Sequence, residues 1–363
     1  MNKIIYLDAA ASYQKSDAVI NAQVGFLRNR YANSGRGICA RATDVDNMIA
    51  QTRQQVAKFI NADDERQIVF TAGTTDAMNQ IAQMLNLKVT DIVVVSDLDH
   101  HSARLPFEQT KAKILVCDLT DSMDIDAGRV PYADVVVITA MSNVLGVAQD
   151  VEQIIKCAKK QNPHVITVVD AAQFVVHETI DVKKWNCDFV CWSGHKIGGD
   201  TGLGVMYIKN PDMFAPVRFG GGMVNKILDG NLLLNNAPDC FEAGTLPLTQ
   251  IAGLASAIDE LTKNRPDLNL IKYAYDELSK IPQIKMISKR DAALISFVVQ
   301  DMHVIDFGAM LGARGVCVRV GNMCASWIMK YLGIDGVVRI SVGGYNTLDE
   351  VKQVIEYIKD IVK

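Results

Sequence analysis

Seven short apolar runs punctuate this chain, and within each the apolar residues are continuous rather than alternating. They are QIVFT from Gln67, DIVVVS from Asp91, KILVC from Lys113, DVVVIT from Asp134, VITVVD from Val165, DFVCWS from Asp188 and LGVMYI from Leu203. A strand with one wet face alternates apolar and polar residues, whereas an unbroken Val and Ile run suits a strand covered on both faces. With helical stretches between them, the runs predict an α/β fold: a mostly parallel seven-stranded sheet with helices on both faces.

Past FEAGTLPLTQ a long helical pattern begins, broken around NRPDLN. From about Leu268 the order becomes helix, ALISFVV, helix, GVCVRV, helix, GVVRISV, helix. This predicts a large domain over 1–267, with an N-terminal segment available to pack on its neighbour, and a smaller C-terminal α+β domain over 268–363. A first helix from Leu268 to Lys280 forms the joint. A chain of 363 residues suits that division.

A formal net charge of -4 and the lack of any Lys/Arg block argue against nucleic acid or an anionic membrane as the main partner. No apolar stretch approaches the roughly 20 residues of a membrane helix. The start, MNKIIYLDAAASYQKSD, reads as neither a signal peptide nor an anchor. A soluble cytoplasmic protein is the expectation. The eight cysteines include no CxxC pair, so neither a disulfide framework nor a zinc site is indicated. Apart from Cys324, they read as small buried thiols.

Chemistry concentrates where the proposed strands end, the edge at which open α/β sheets bind ligands. After QIVF comes TAGTTDAMNQIA, hydroxyls and a glycine ahead of a helix opened by Asp76. That is an anion site, or an ordinary helix cap. After DIVVVS comes DLDHHSARLPF, with the pair His100 and His101. VITVVD ends in Asp170, with Gln173 three residues on. A buried carboxylate needs a partner, which a protonated pyridine nitrogen, a helix cap or an arginine would supply. DFVCWS leads into Ser193, His195 and Lys196, followed by glycines that let backbone approach a ligand closely. A crowded lysine amine can lose its proton and bind an electrophile. Taken in order, these groups provide for the phosphate, ring face, pyridine nitrogen, phenolic oxygen and aldehyde of pyridoxal 5'-phosphate.

In these residues the chain resembles the class V, fold-type I pyridoxal-phosphate enzymes, and among them the SufS-type (group II) cysteine desulfurases and selenocysteine lyases. The resemblance runs in family order through YLDAAASYQK, FTAGTTDAMN, DLDHHSARLPF, MSNVLG, VVDAAQ, DFVCWSGHK, GGGMV, FEAGTLP, VRVGNMCAS and VRISVGGYNTLDEV. It implies that Lys196 carries the cofactor, His100 stacks on its ring, Asp170 pairs with the pyridine nitrogen and Gln173 with the phenolic oxygen. Thr74, Thr75, Ser193 and His195 would hold the phosphate. Thr245 would reach the phosphate of a neighbouring subunit, which implies a homodimer. Asn143, Arg339 and Arg319 fall on the substrate side, Arg339 suiting a bidentate grip on an α-carboxylate. Cys324, fifteen positions before Arg339, aligns with the desulfurase nucleophile.

The resemblance therefore implies conversion of L-cysteine to L-alanine, with sulfur passed to Cys324 as a persulfide and on to an acceptor protein. Other class V chemistries, as selenocysteine lyase, carbon–sulfur lyase or aminotransferase, stay open, as does a catalytically silent relative serving as a binding partner. Two departures from the family pattern stand out. GRGIC at Gly35 to Cys39 replaces a stretch that often carries two histidines, and Asn322 and Met323 stand where histidines often precede the nucleophile.

Overall fold

Strand β1 (Ile5–Tyr6) does not join the large sheet but pairs in parallel with β13 (Val316–Cys317), more than three hundred residues away. This computed structural model describes residues 4–35 and 37–363; Arg36 of the GRGIC stretch lies outside the described residues.

The seven apolar runs form one sheet from β2 (Ile68–Thr71), β3 (Ile92–Ser96), β4 (Lys113–Cys117), β5 (Val135–Thr139), β6 (Ile166–Asp170), β7 (Phe189–Ser193) and β8 (Gly204–Ile208). Their order is β2-β8-β7-β6-β5-β3-β4. Only β8 runs against its neighbours, pairing antiparallel with β2 and β7, so the sheet is mostly parallel. Successive residues of a strand point to opposite faces. Thus Ile68, Phe70, Val94, Val136 and Val190 enter one core, while Val69, Val93, Val95, Val137 and Phe189 enter the other. The second core is closed by Met78 and Ile81 of helix Thr74–Met84 and by Phe107 of helix His101–Glu108.

One run departs from the expectation of double burial. KILVC forms β4 at one sheet edge and is only partly covered, with Val116 45% exposed, whereas β2 at the opposite edge is buried throughout. The Thr-rich helix also begins at Thr74 rather than Asp76, whose carboxylate instead accepts from the Ala72 amide at 2.9 Å. Its start is pressed against the sheet through two glycines: a Cβ on Gly204 would lie 2.5 Å from the Gly73 Cα, so only glycine lets the segments meet.

The remaining strands are the hairpin of β9 (Val224–Leu228) and β10 (Asn231–Leu234), and a smaller antiparallel sheet of β11 (Ile284–Met286), β12 (Ile295–Val299), β14 (Arg319–Gly321) and β15 (Val337–Ile340) in the order β11-β12-β15-β14. GVCVRV, read as one strand, is split between β13 and β14, which serve different partners. Helices Leu268–Leu278, Val304–Ala313 and Leu348–Ile361 cover this sheet in a separate core that also takes in Ile5 and Leu7. Among the described residues, no helix is long and apolar enough to cross a membrane.

A buried ion pair fastens the segment carrying Thr245 to the large sheet. Arg53 donates to both Glu242 carboxylate oxygens at 2.8 Å and to the Ile68 carbonyl at 2.6 Å, and Glu242 also accepts from the Phe70 amide at 2.7 Å. Removing one partner of such a pair strands a charge in low dielectric. We therefore expect Arg53→Met to cost about 3–5 kcal/mol, read as a lower urea midpoint, and Arg53→Met/Glu242→Gln to recover part of it. An unchanged midpoint for the single variant would count against the pair.

Candidate active site

The chain crosses back between β4 and β5, so the loops following β3 and β5 diverge and leave a crevice at the carboxyl ends of the parallel strands. A cavity of about 220 Å³ fills it, and its wall includes Thr74, Thr75, His100, Asn143, Asp170, Gln173, Ser193, His195 and Lys196. Nine residues singled out along the sequence thus meet in one place.

At one end lies the start of helix Thr74–Met84, whose Gly73 offers no side-chain cap. Ser193 Oγ accepts from the Thr74 amide at 2.9 Å and lies 2.8 Å from Thr74 Oγ1. His195 Nδ1 is buried without a partner, and burial followed by the Lys196 charge lowers this imidazole to about 4. Hydroxyls, backbone amides and a helix N-terminus together suit a phosphate.

In the middle, Asp170 ends β6 and accepts from the Ala172 amide at 2.9 Å. Among the described residues it makes no ion pair, and burial raises its carboxyl to about 6. A cation facing it would relieve that cost. Gln173 has both amide atoms buried and unpartnered. His100 caps the helix after β3, its Nδ1 accepting from the Ser102 amide at 3.1 Å, so its proton lies on Nε2. Burial, then Lys196, lowers it to about 4, which keeps the ring neutral. Asp99, just before it, was not singled out by sequence. It accepts from the Ser96 amide and Thr139 Oγ1, both at 2.7 Å, tying the ends of β3 and β5 together beneath His100.

Lys196 follows β7 in the short turn Gly194–Ile197 and donates to the Ala10 carbonyl at 2.6 Å. Burial first, then the Arg339 charge, lowers its amine to about 8. A free amine is accordingly accessible near neutral pH.

Arg339 is 3% exposed and donates to the Asn143 carbonyl at 2.9 Å and to Asp8 at 3.3 Å, leaving its Nε without a partner. Asp8 also pairs with Arg319 at 2.7 Å. This carboxylate, which no chemical signal in the sequence marked, holds both guanidinium groups; neither arginine lines the cavity itself, and Arg339 meets its wall through the Asn143 carbonyl.

Cys324 is exposed and does not line the cavity. Its loop is nonetheless joined to the wall, because Asn143 Nδ2 donates to the Met323 carbonyl at 2.8 Å. Met323 and Cys324 both adopt left-handed backbone, with φ of 55° and 52°. Each such residue costs about 1–3 kcal/mol and persists only where its surroundings fix it. Of the other cysteines, Cys117, Cys187 and Cys191 are buried as expected, Cys157, Cys240 and Cys317 are only partly buried, and Cys39 is exposed because it precedes helix Ala40–Phe59 in a surface loop. Thr245 is not brought to this cavity. It lines a separate one of about 970 Å³, together with Gly35.

Unpartnered buried polar atoms are rare in folded proteins. Here Gln173 contributes two, and His195, Asn143 and Arg339 one each, all in or beside the same wall. This donor and acceptor set fits pyridoxal 5'-phosphate.

The sequence pattern described as aminotransferase class-V matches residues 5–354. A probable cysteine desulfurase of Vibrio cholerae is 33% identical across 99% of this chain and 94% of its own length. Among solved structures, the cysteine desulfurase of Thermococcus onnurineus superposes with a TM-score of 0.94 at 32% identity, covering 99% of this chain and 95% of that one. The cysteine desulfurase CsdA of Escherichia coli, in an S-sulfonic acid form, gives 0.89 at 30% identity, covering 98% and 94%.

Proposed function

Since the chain belongs to the aminotransferase class-V family of pyridoxal-phosphate enzymes, we propose that it is a cysteine desulfurase, converting L-cysteine to L-alanine and taking the sulfur onto Cys324. The observation that carries the sulfur chemistry is an exposed thiol on a fixed, strained loop bonded directly to Asn143 of the cavity wall.

When bound, pyridoxal 5'-phosphate supplies an aldehyde for an amino group and a ring that accepts electrons from the neighbouring carbon. Thr74, Thr75, Ser193 and His195 would hold its phosphate, Asp170 its pyridine nitrogen, Gln173 its phenolic oxygen and Lys196 its aldehyde carbon, and His100 would lie against its ring. Lys196 would also move the proton at the substrate α-carbon, a task suited to an amine lowered to about 8. Arg339, held by Asp8 and Asn143, grips the α-carboxylate, and Arg319 adds positive charge beside it. The Cys324 thiolate attacks the substrate sulfur. The carbon–sulfur bond breaks, a sulfur–sulfur bond forms, and L-cysteine plus the thiol become L-alanine plus a persulfide.

Purified protein given L-cysteine should release alanine, with sulfide when a reductant is present. A keto acid instead would indicate transamination, and neither product would indicate a silent relative.

A homodimer, a cytoplasmic location and a separate protein that accepts the sulfur complete the reading. Thr245 supports the dimer: it lies apart from the cavity of its own chain, on a segment that the Arg53–Glu242 pair fixes, as a residue serving a partner's phosphate site would. Symmetric pairing is also the commonest oligomeric form. Sedimentation should find the cofactor-loaded enzyme as a dimer; an active monomer would remove this assignment.

A further inference from the structure

His100 and His101 are adjacent at the start of one helix, yet they do different work. His100 lines the cavity, whereas His101 faces the loop of Cys324. The His101 amide donates to the Cys324 carbonyl at 2.8 Å. Its ring Nε2 accepts from the Ser326 amide at 3.2 Å and lies 3.0 Å from Ser326 Oγ. Accepting there requires a neutral ring with its proton on Nδ1, the opposite arrangement to His100.

The next residue completes the contact. Trp327 meets the His101 ring edge-on, with centroids 5.2 Å apart and planes at 87°. Its own face is covered by the Arg104 guanidinium at 4.2 Å, one turn along the helix from His101. Arg104 is fixed in turn by Glu108 at 2.7 Å and Asp97 at 3.3 Å. Positions 324, 326 and 327 are therefore gripped from a single helix of the large sheet, although they follow β14 of the small one.

We propose that His101 is a positioning residue for Cys324: with Ser326, Trp327 and Arg104 it latches the nucleophile's loop onto the helix that carries His100. The strained pair Met323 and Cys324 needs holding on both sides. Asn143 holds the side before Cys324, through the Met323 carbonyl, and His101 holds Cys324 itself and the side after it. Because His100 and His101 share one helix start, the latch keeps the thiol in register with the ring wall of the cavity.

The role rests on reading Cys324 as the sulfur nucleophile, and the test separates the two. Cofactor-loaded wild type, His101→Ala, His101→Gln and Trp327→Ala are compared by hydrogen–deuterium exchange and by turnover of L-cysteine. In His101→Ala and Trp327→Ala, amides of 322–327 should exchange about tenfold faster while β5, β6 and β7 stay unchanged. Their kcat should fall by about ten- to hundredfold, with KM and cofactor absorbance within about twofold of wild type. His101→Gln, which keeps a hydrogen-bond acceptor, should hold kcat within about threefold and retain slow exchange. Unchanged exchange at 322–327 in both truncated variants, or wild-type kcat in both, would overturn the latch, as would a loss of cofactor absorbance with exchange unaltered. If wild type fails to turn over cysteine, the desulfurase reading falls, and the exchange comparison alone decides the latch.

Discussion

Lys196→Ala is expected to yield a folded, colourless protein whose alanine production from L-cysteine falls on the order of 10⁴-fold, since on the proposed reading both the covalent anchor and the proton-moving base are lost. Folding should survive because the wild-type amine is poorly accommodated: burial and Arg339 push it down from 10.5 to about 8. The sign follows from proton counting. Between pH 8 and 10.5 the unfolded chain binds more protons at this site than the folded one, so wild-type stability rises with pH across that interval. Cofactor-free wild type should therefore gain on the alanine variant as pH rises through that window, and the penalty of the charged lysine is carried in full below it. Thermal unfolding of both apoproteins at pH 7 and pH 10 checks this. Borohydride treatment followed by peptide mapping checks the anchor, and a pyridoxyl group fixed on another lysine of the variant would defeat the assignment.

The large sheet was legible because burial on both faces leaves its mark in the residues themselves: Val135 to Thr139 and Phe189 to Ser193 are apolar or small throughout and wholly buried. KILVC carries the same pattern into a strand that is only partly covered, since local composition does not encode whether other elements cover both faces of a strand. β1 and β13 are two residues each, too short for periodicity to register. The hairpin of β9 and β10 does carry a local turn signal. Asp229-Gly230 is a favoured two-residue turn, and both residues have positive φ, 49° and 78°. Its flanking Ile227 and Leu232 are 67% and 52% exposed, so no alternation of burial accompanied the turn.

The cavity was equally legible, because each of its polar groups follows a recognisable strand and the topology sends those strand ends to one edge. Relationships between distant segments were not. Asp8 lies far in sequence from Arg319 and Arg339, and only the pairing of β1 with β13 and the bridge from Asp8 to Ser341 bring it between them. In sequence Asp99 is one more polar residue of a loop, and its bond from Thr139 Oγ1 exists only in the fold. His101 was visible only as half of a His-His pair; its contact with Ser326 spans 225 positions.

Cys324→Ser should keep the cofactor, and the cofactor's spectral response to added L-cysteine, while alanine formation falls on the order of 10³-fold or more, the scale seen when a nucleophile is removed. The two halves of this expectation come from different parts of the structure. On the proposed reading the cofactor contacts fall to residues of the 220 Å³ cavity and the carboxylate grip to Arg339, and Cys324 is not part of that cavity. Sulfur abstraction needs a thiolate at the exposed loop, and a serine hydroxyl of nearly the same size ionises far less readily near neutral pH. Serine also leaves the backbone bonds in place, from the Cys324 amide to Asn322 Oδ1 at 3.1 Å and from His101 to the Cys324 carbonyl at 2.8 Å, so the loop should hold its left-handed turn. Selenocysteine gives the discriminating comparison. Selenium leaves more readily than sulfur, so a selenocysteine lyase would keep its turnover in the serine variant, whereas a desulfurase loses cysteine turnover there. Alanine release by wild type and Cys324→Ser on the two substrates, measured side by side, separates them. Undiminished cysteine turnover in Cys324→Ser would take the thiol out of the mechanism and turn attention to Asn322 and Met323, where the family often carries histidines.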